Sequence, residues 1–139
     1  MLTKNLRKNV PDAEVESYMV QRMVSGYEVI IGGIRDEQFD HCISFGLGGI
    51  YTEIFEDVSF RVVPITKKDA IEMIRETKAY RILKGYRNRP RADIDALIET
   101  LLKTSKLLDE NPRIIELDLN PVFSLPRGAV VADVRIITD

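Results

Sequence analysis

The apolar pattern turns strand-like at Tyr18, Val20 and Val24, and again at Tyr27, Val29 and Ile31, with Ser25-Gly26 between the two runs. A period of two predicts a pair of strands joined by a turn. A third strand is expected over residues 42–45, running into Gly46-Leu47-Gly48-Gly49, and a fourth over residues 58–63. The period then lengthens. Thr66 and Asp69 have the spacing of a capping box, with Ala70, Ile71 and Ile74 as the apolar stripe behind it. Residues 93–108 carry Ile94, Leu97, Ile98, Leu101, Leu102 and Leu108 on one broad face, wide enough for a core and wider than a coiled-coil seam. After Asn111-Pro112 the alternation returns over 113–123 and 129–137, which predicts a closing hairpin. Strands, then helices, then a hairpin give an α+β fold with a largely antiparallel sheet and exclude a Rossmann array. No internal repeat or linker interrupts the chain, so residues 1–139 read as one unit. The charged opening, residues 1–14, reads as the tail of something preceding it.

The closing hairpin is the first place where the pattern implies chemistry. Ile115, Leu117 and Leu119 point to one face, so Glu116, Asp118 and Asn120 point to the other. Leu125-Pro126-Arg127-Gly128 has the residues of a type I turn. If Leu125 pairs with Gly128, counting outward sets Asn120 opposite Asp133 and Asp118 opposite Arg135. Directly opposed residues have Cα atoms roughly 4.5–5.5 Å apart, close enough for two side chains to grip one ion. Hard oxygen donors in small number suit Mg²⁺, which keeps waters and takes further ligands from phosphates. The other reading is a solvated strand face crossed by an Asp118–Arg135 ion pair. Spacing by itself does not choose the metal.

Composition narrows the classes. The 139 residues are 45% hydrophobic and 30% charged, with net charge -2, an ordinary globular balance. Arg87, Arg89 and Arg91 form one short basic cluster, too little for a nucleic-acid face. One cysteine, Cys42, excludes an intrachain disulfide and fits a reducing compartment. No apolar run is long enough to span a bilayer, and residues 1–10 hold no signal-peptide core. The expectation is a cytoplasmic protein without a nucleic-acid or membrane partner.

Glu116-Leu-Asp-Leu-Asn-Pro121, with Asp133 thirteen residues after Asn120, resembles the metal-binding strand pair of ATP-grasp proteins. More specifically it is similar to the β subunits of ADP-forming acetyl-CoA synthetases, relatives of succinyl-CoA synthetase. Val20-Gln-Arg-Met-Val24 resembles the hinge strand that reads adenine, and Gly26-Tyr-Glu-Val-Ile-Ile-Gly32 the strand after it. Phe45-Gly-Leu-Gly-Gly-Ile50 resembles the family's glycine loop. Asp57-Val-Ser-Phe-Arg61, Asp69-Ala70 and Leu83-Lys-Gly-Tyr-Arg87 agree in order and spacing. The resemblance covers the chain from about Val10 onward.

That resemblance implies a set of roles. Asn120 and Asp133 would hold the Mg²⁺ of ATP or ADP. Asp118 would be the catalytic acid position facing a phosphohistidine that arrives from a CoA-binding α subunit. Backbone groups of Gln21, Arg22, Met23 and Val24 would bind the adenine edge. The implied activity is that of an acid–CoA ligase, ADP-forming: acyl-CoA, ADP and phosphate to acid, CoA and ATP. The chain corresponds to the second half of an ATP-grasp domain, so by itself it is expected to be inactive. It would need the first half, with its lysine and histidine loop, in a hetero- or homo-oligomer. The competing reading is a non-catalytic nucleotide- or partner-binding module.

Two positions depart from the family pattern. Relatives tend to have Gly-Pro where this chain has Asp40-His41, which questions the tightness of that connection. They tend to have Gly where it has Asn88, a residue that tolerates a left-handed backbone. His41, the one histidine, falls at a turn and reads as structural or surface. Cys42 reads as a small buried hydrophobe. The glycines of residues 45–50 fit either a phosphate cradle or a plain strand-to-loop turn. Glu53 is a candidate contact to a partner's histidine loop.

Overall fold

The computed structural model describes residues 8–10, 14, 16–48, 57–86 and 88–139. Among them, strands β1 (Tyr27–Asp36), β2 (Asp40–Leu47), β3 (Val58–Val62), β4 (Ile114–Ser124), β5 (Ala129–Val131) and β6 (Val134–Thr138) form one sheet. Three helices, α1 (Lys67–Glu76), α2 (Ala79–Leu83) and α3 (Ile94–Glu110), lie between β3 and β4 in the chain. The sheet runs β3-β2-β1-β4-β5, and β6 pairs with β4 beyond β5. Every recorded pairing is antiparallel. The α+β expectation holds.

Strand parity fixes which face is covered. Val29 and Ile31 on β1, Ile43 and Phe45 on β2, and Leu117 and Val122 on β4 are buried beneath the helices. Met73 and Ile74 of α1 and Leu97, Leu101 and Leu108 of α3 supply the other half of the core. Gly33 lets α3 come this close: a Cβ there would stand 2.6 Å from Leu108 Cδ1. Ile94 and Leu102, read as part of the same stripe, are only partly buried.

The helix starts follow the sequence signals. Thr66 accepts from the Asp69 N–H at 3.2 Å, and the Asp69 carboxylate accepts from the Thr66 N–H at 2.8 Å, closing the capping box. Asp93 caps α3 through the Ala96 N–H at 3.0 Å. Its other carboxylate oxygen takes the Gly128 N–H at 2.7 Å, so one side chain fastens the helix to the closing turn. These hydrogen bonds, Gly128 foremost, hold the Asp93 carboxyl below its ordinary range.

Four expectations need correction. Residues 18–24 form no strand; the segment is largely exposed, with Val20 95% accessible. Alternation there reflects an apolar edge without a sheet neighbour. The strand expected over residues 42–45 is longer, Asp40–Leu47, and follows a turn at residues 37–39. The second arm of the closing hairpin is split into β5 and β6. The cause lies in β4: between Leu119 and Val122 it spends three residue steps where β1 spends two, from Ile31 to Val29. That extra residue at Asn120-Pro121 is a bulge. Pro121 has no N–H to give, the partner arm breaks at Ala132-Asp133, and the buried parity changes from Leu117 and Leu119 to Val122 and Ser124. Finally, Ile114 is buried where Ile115 was expected, because the β4–β6 register shifts between Ile114 and Glu116.

The chain's two departures from the family pattern find local solutions. Asp40 adopts φ 59, and the Asp36 carboxylate accepts the Gln38 and Phe39 N–H groups at 2.8 and 3.1 Å, so the turn is tight without Gly-Pro. Asn88 stands at φ 65, the left-handed conformation that a glycine would also supply.

Candidate nucleotide and metal site

Residues 21–24 with Ser25 form one wall of an open cavity of about 630 Å³; Phe123, Leu125 and Val130–Ala132 form the rest. The volume falls in the range that holds a cofactor-sized ligand. All four residues expected to read adenine therefore lie together at a hydrophobic cleft. The sequence reading missed the opposite wall. Its signal was Gly26, where a Cβ would lie 2.5 Å from the Ser124 carbonyl oxygen. A bare backbone there lets the hinge approach β4.

Ala132 lines the cavity, and the next residue in the chain is Asp133. The Asn120 N–H donates to the Asp133 carbonyl at 3.2 Å, and the Ala132 N–H to the Pro121 carbonyl at 3.0 Å. The Leu125 N–H donates to the Gly128 carbonyl at 3.0 Å. Asp118 pairs with Arg135 in register. The bulge thus sets Asn120 and Asp133 side by side, both exposed, at the break between β5 and β6. One Asp133 carboxylate oxygen accepts the Val134 N–H at 2.9 Å, which steadies it.

Asp118 and Glu116 share the uncovered sheet face with Asn120. The anticipated Asp118–Arg135 ion pair is not made; Arg135 lies diagonally, 3.5 Å from Glu116. Opposite Asp118 on β1 stands Gly32, and beyond it Ser44 of β2. Among the described residues no three His, Cys, Asp or Glu side chains gather closely enough to cage a metal. A cation here would draw most of its ligands from water and a bound anion. Two adjacent oxygen donors fit Mg²⁺ on those terms.

Other candidates resolve into structural parts. His41 is buried in β2, and its Nε2 lies 2.7 Å from the Ile114 carbonyl oxygen, so it ties β2 to the start of β4. Cys42 is half-buried on the uncovered face, not in the core. The Gly48 N–H is spent on the Glu28 carbonyl at 3.0 Å and is not offered to phosphate. Arg89 rests over the Tyr27 ring, 5.8 Å from its centroid. Gly49, Ile50, Glu53 and Arg87 lie outside the described residues. No helix among the described residues is long and apolar enough to cross a membrane.

A family profile described as an ATP-grasp domain matches residues 1–138. The chain is 47% identical over 137 residues to an acetate–CoA ligase [ADP-forming] I of Archaeoglobus fulgidus, covering 98% of this chain and 20% of the ligase. It is 54% identical over 138 residues to the acetate–CoA ligase [ADP-forming] II subunit beta of Pyrococcus furiosus, covering 96% of this chain and 58% of that subunit. Among solved structures it resembles the dinucleotide-forming acetyl-coenzyme A synthetase 1 of Ca. Korarchaeum cryptofilum in complex with coenzyme A and Mg-AMPPCP, its phosphohistidine segment pointing towards the nucleotide binding site. That match has TM-score 0.81 and 46% identity, covering 84% of this chain and 55% of that one. The chain thus spans about three fifths or less of these relatives.

Proposed function

Because the chain belongs to the ATP-grasp domain family, we propose that it is the nucleotide- and Mg²⁺-binding part of an NDP-forming acyl-CoA synthetase. The observation that carries this reading is the cleft lined by residues 21–25 and Ala132, with Asp133 next to Ala132 in the chain and Asn120 hydrogen-bonded across to it. Residues 21–24, outside any helix or strand, present backbone groups to the adenine edge, and the Phe123 and Leu125 side of the cleft takes the apolar faces of the nucleoside. Asn120 and Asp133 hold Mg²⁺, which neutralises charge during phosphoryl transfer. Asp118, on the same face, accepts and orients the ring of an incoming phosphohistidine.

In the whole protein the reaction is acyl-CoA, ADP and phosphate to acid, CoA and ATP. This chain serves as the second ATP-grasp half; the first half and a CoA-binding α subunit complete the site in a cytoplasmic oligomer. Met19, Val20 and Met23, all more than four-fifths exposed, give the hinge an apolar edge for that assembly.

The test is reconstitution. This chain alone should yield no ATP from acyl-CoA, ADP and phosphate. Mixing it with the complementary half and the α subunit should restore turnover. Asp133→Ala should remove most of that turnover while light scattering shows assembly intact. Robust turnover by the isolated chain, or full activity in the variant, would contradict the proposal. Failure of the halves to associate would favour the stand-alone binding module.

A further inference from the structure

The uncovered sheet face is acidic where it meets the proposed site. Glu116 and Asp118 stand on β4, and Asp133 stands across from Asn120. Such a surface welcomes a cation and repels a polyphosphate. Among the described strand residues only one cation shares this face: Arg135 of β6, level with Asp118 and two residues from Asp133. The strands' other arginines have the opposite parity and fixed partners. Arg35 donates to the Pro112 carbonyl and to Asp139 at 3.1 and 2.7 Å, and Arg61 is held by Glu76. Arg135 is bound loosely by comparison. Its one recorded ion pair is the 3.5 Å approach to Glu116, with side chains 66% and 40% exposed. A pair so open holds its arginine weakly, and a phosphate competes well for a guanidinium.

We propose that Arg135 is the phosphate-reading residue of this site, parked on Glu116 and moving to the terminal phosphate of a nucleoside di- or triphosphate. The inference rests on the metal-nucleotide reading above and adds a residue to it. Geometry supplies the choice of phosphate. Ala132 lines the same cleft as the hinge and precedes Asp133 in the chain, so a base seated at the hinge with its phosphates on Asp133 brings the terminal phosphate within two residues of Arg135. A monophosphate has no second phosphate to offer. Glu116 acts as the competitor that keeps Arg135 from quenching Asp118 in the empty site.

Binding of Mn²⁺ alone (by electron paramagnetic resonance), of Mg-ADP and of AMP is measured on the full chain by titration into the millimolar range. Arg135→Gln should weaken Mg-ADP about tenfold or more, the scale of one charge-assisted hydrogen bond. AMP binding should not change. Mn²⁺ binding should stay the same or tighten, since a repelling charge has gone. Glu116→Gln should tighten Mg-ADP, and the double variant should match Arg135→Gln. Arg113→Gln, which removes the same charge just before β4, should change none of these. Equal Mg-ADP binding by Arg135→Gln and Arg113→Gln overturns the inference. So does an equal loss of Mn²⁺ and Mg-ADP, the mark of a purely structural role. Asp133→Asn separates the two levels. If it abolishes Mn²⁺ binding while Arg135→Gln does nothing, only the arginine assignment falls. If Mn²⁺ still binds, or the native chain binds none, the metal reading falls as well.

Discussion

The two faces of the sheet divide the labour of the molecule. On the helix-covered face Val29, Ile31, Ile43 and Phe45 are wholly buried. On the other, Ile34 is 56% and Phe60 60% exposed, and Glu116, Asp118 and Asn120 stand in a row along β4. Adjacent residues of the same strands therefore live in opposite surroundings. Core packing rests on one parity and the proposed site residues share the other, and the bulge at Asn120-Pro121 is where the buried parity of β4 changes. The contrast predicts that substitutions will separate cleanly by face.

The largest effect belongs to the covered face. Leu101→Ala should cost about 2–5 kcal/mol in denaturant unfolding, from lost transfer energy and a residual cavity. Phe60→Ser, on the open face, should stay within about 0.5 kcal/mol. Similar losses at both positions would break the comparison. Next is Asp93, which caps α3 and holds the Gly128 N–H. Asp93→Ala should cost about 1–2 kcal/mol at neutral pH, read from the same unfolding curves, while the NMR resonances of Glu116 and Asp118 stay in place.

A pH titration sharpens the point. Backbone donors, Gly128 first, lower the Asp93 carboxyl, the Thr66 hydroxyl first lowers Asp69, and Arg35 lowers Asp139. A carboxyl lowered in the folded state stabilises fully above its unfolded value, near 4, and loses that contribution as pH falls through the folded value. Stability should therefore drop on acidification below about pH 4, and Asp93→Asn should flatten part of that slope. An unchanged slope in the variant would contradict the assignment. The smallest effect is expected at Asn88, whose φ of 65 already suits glycine. Asn88→Gly should shift stability by no more than a few tenths of a kcal/mol in thermal melts.

Much of this division was legible in the chain. The capping box at Thr66, the α3 stripe and the register placing Asp118 opposite Arg135 all follow from local spacing, because each is set by neighbours in sequence or by one turn. The Asn120-Pro121 bulge was not, since it shows only as an extra residue measured against β1. The split of the last arm into β5 and β6 follows from that bulge and was missed with it. Residues 18–24 misled because apolar alternation looks the same whether or not a strand lies beside it. The cleft's far wall was hidden for another reason: Phe123 and Val130 meet the hinge only through tertiary packing. The anticipated Asp118–Arg135 bond failed because register fixes which Cα atoms are opposed, while a long arginine chooses among carboxylates within reach.

The claim that the open face binds a metal-nucleotide through Asn120 and Asp133 is most directly tested by NMR titration of Asp133→Ala with ADP, with and without Mg²⁺. The account predicts that in the native chain Mg²⁺ enhances ADP-induced shifts at residues 21–25. In the variant that enhancement should disappear while the β4 and α3 resonances stay in place. An equal Mg²⁺ enhancement in the variant would contradict it.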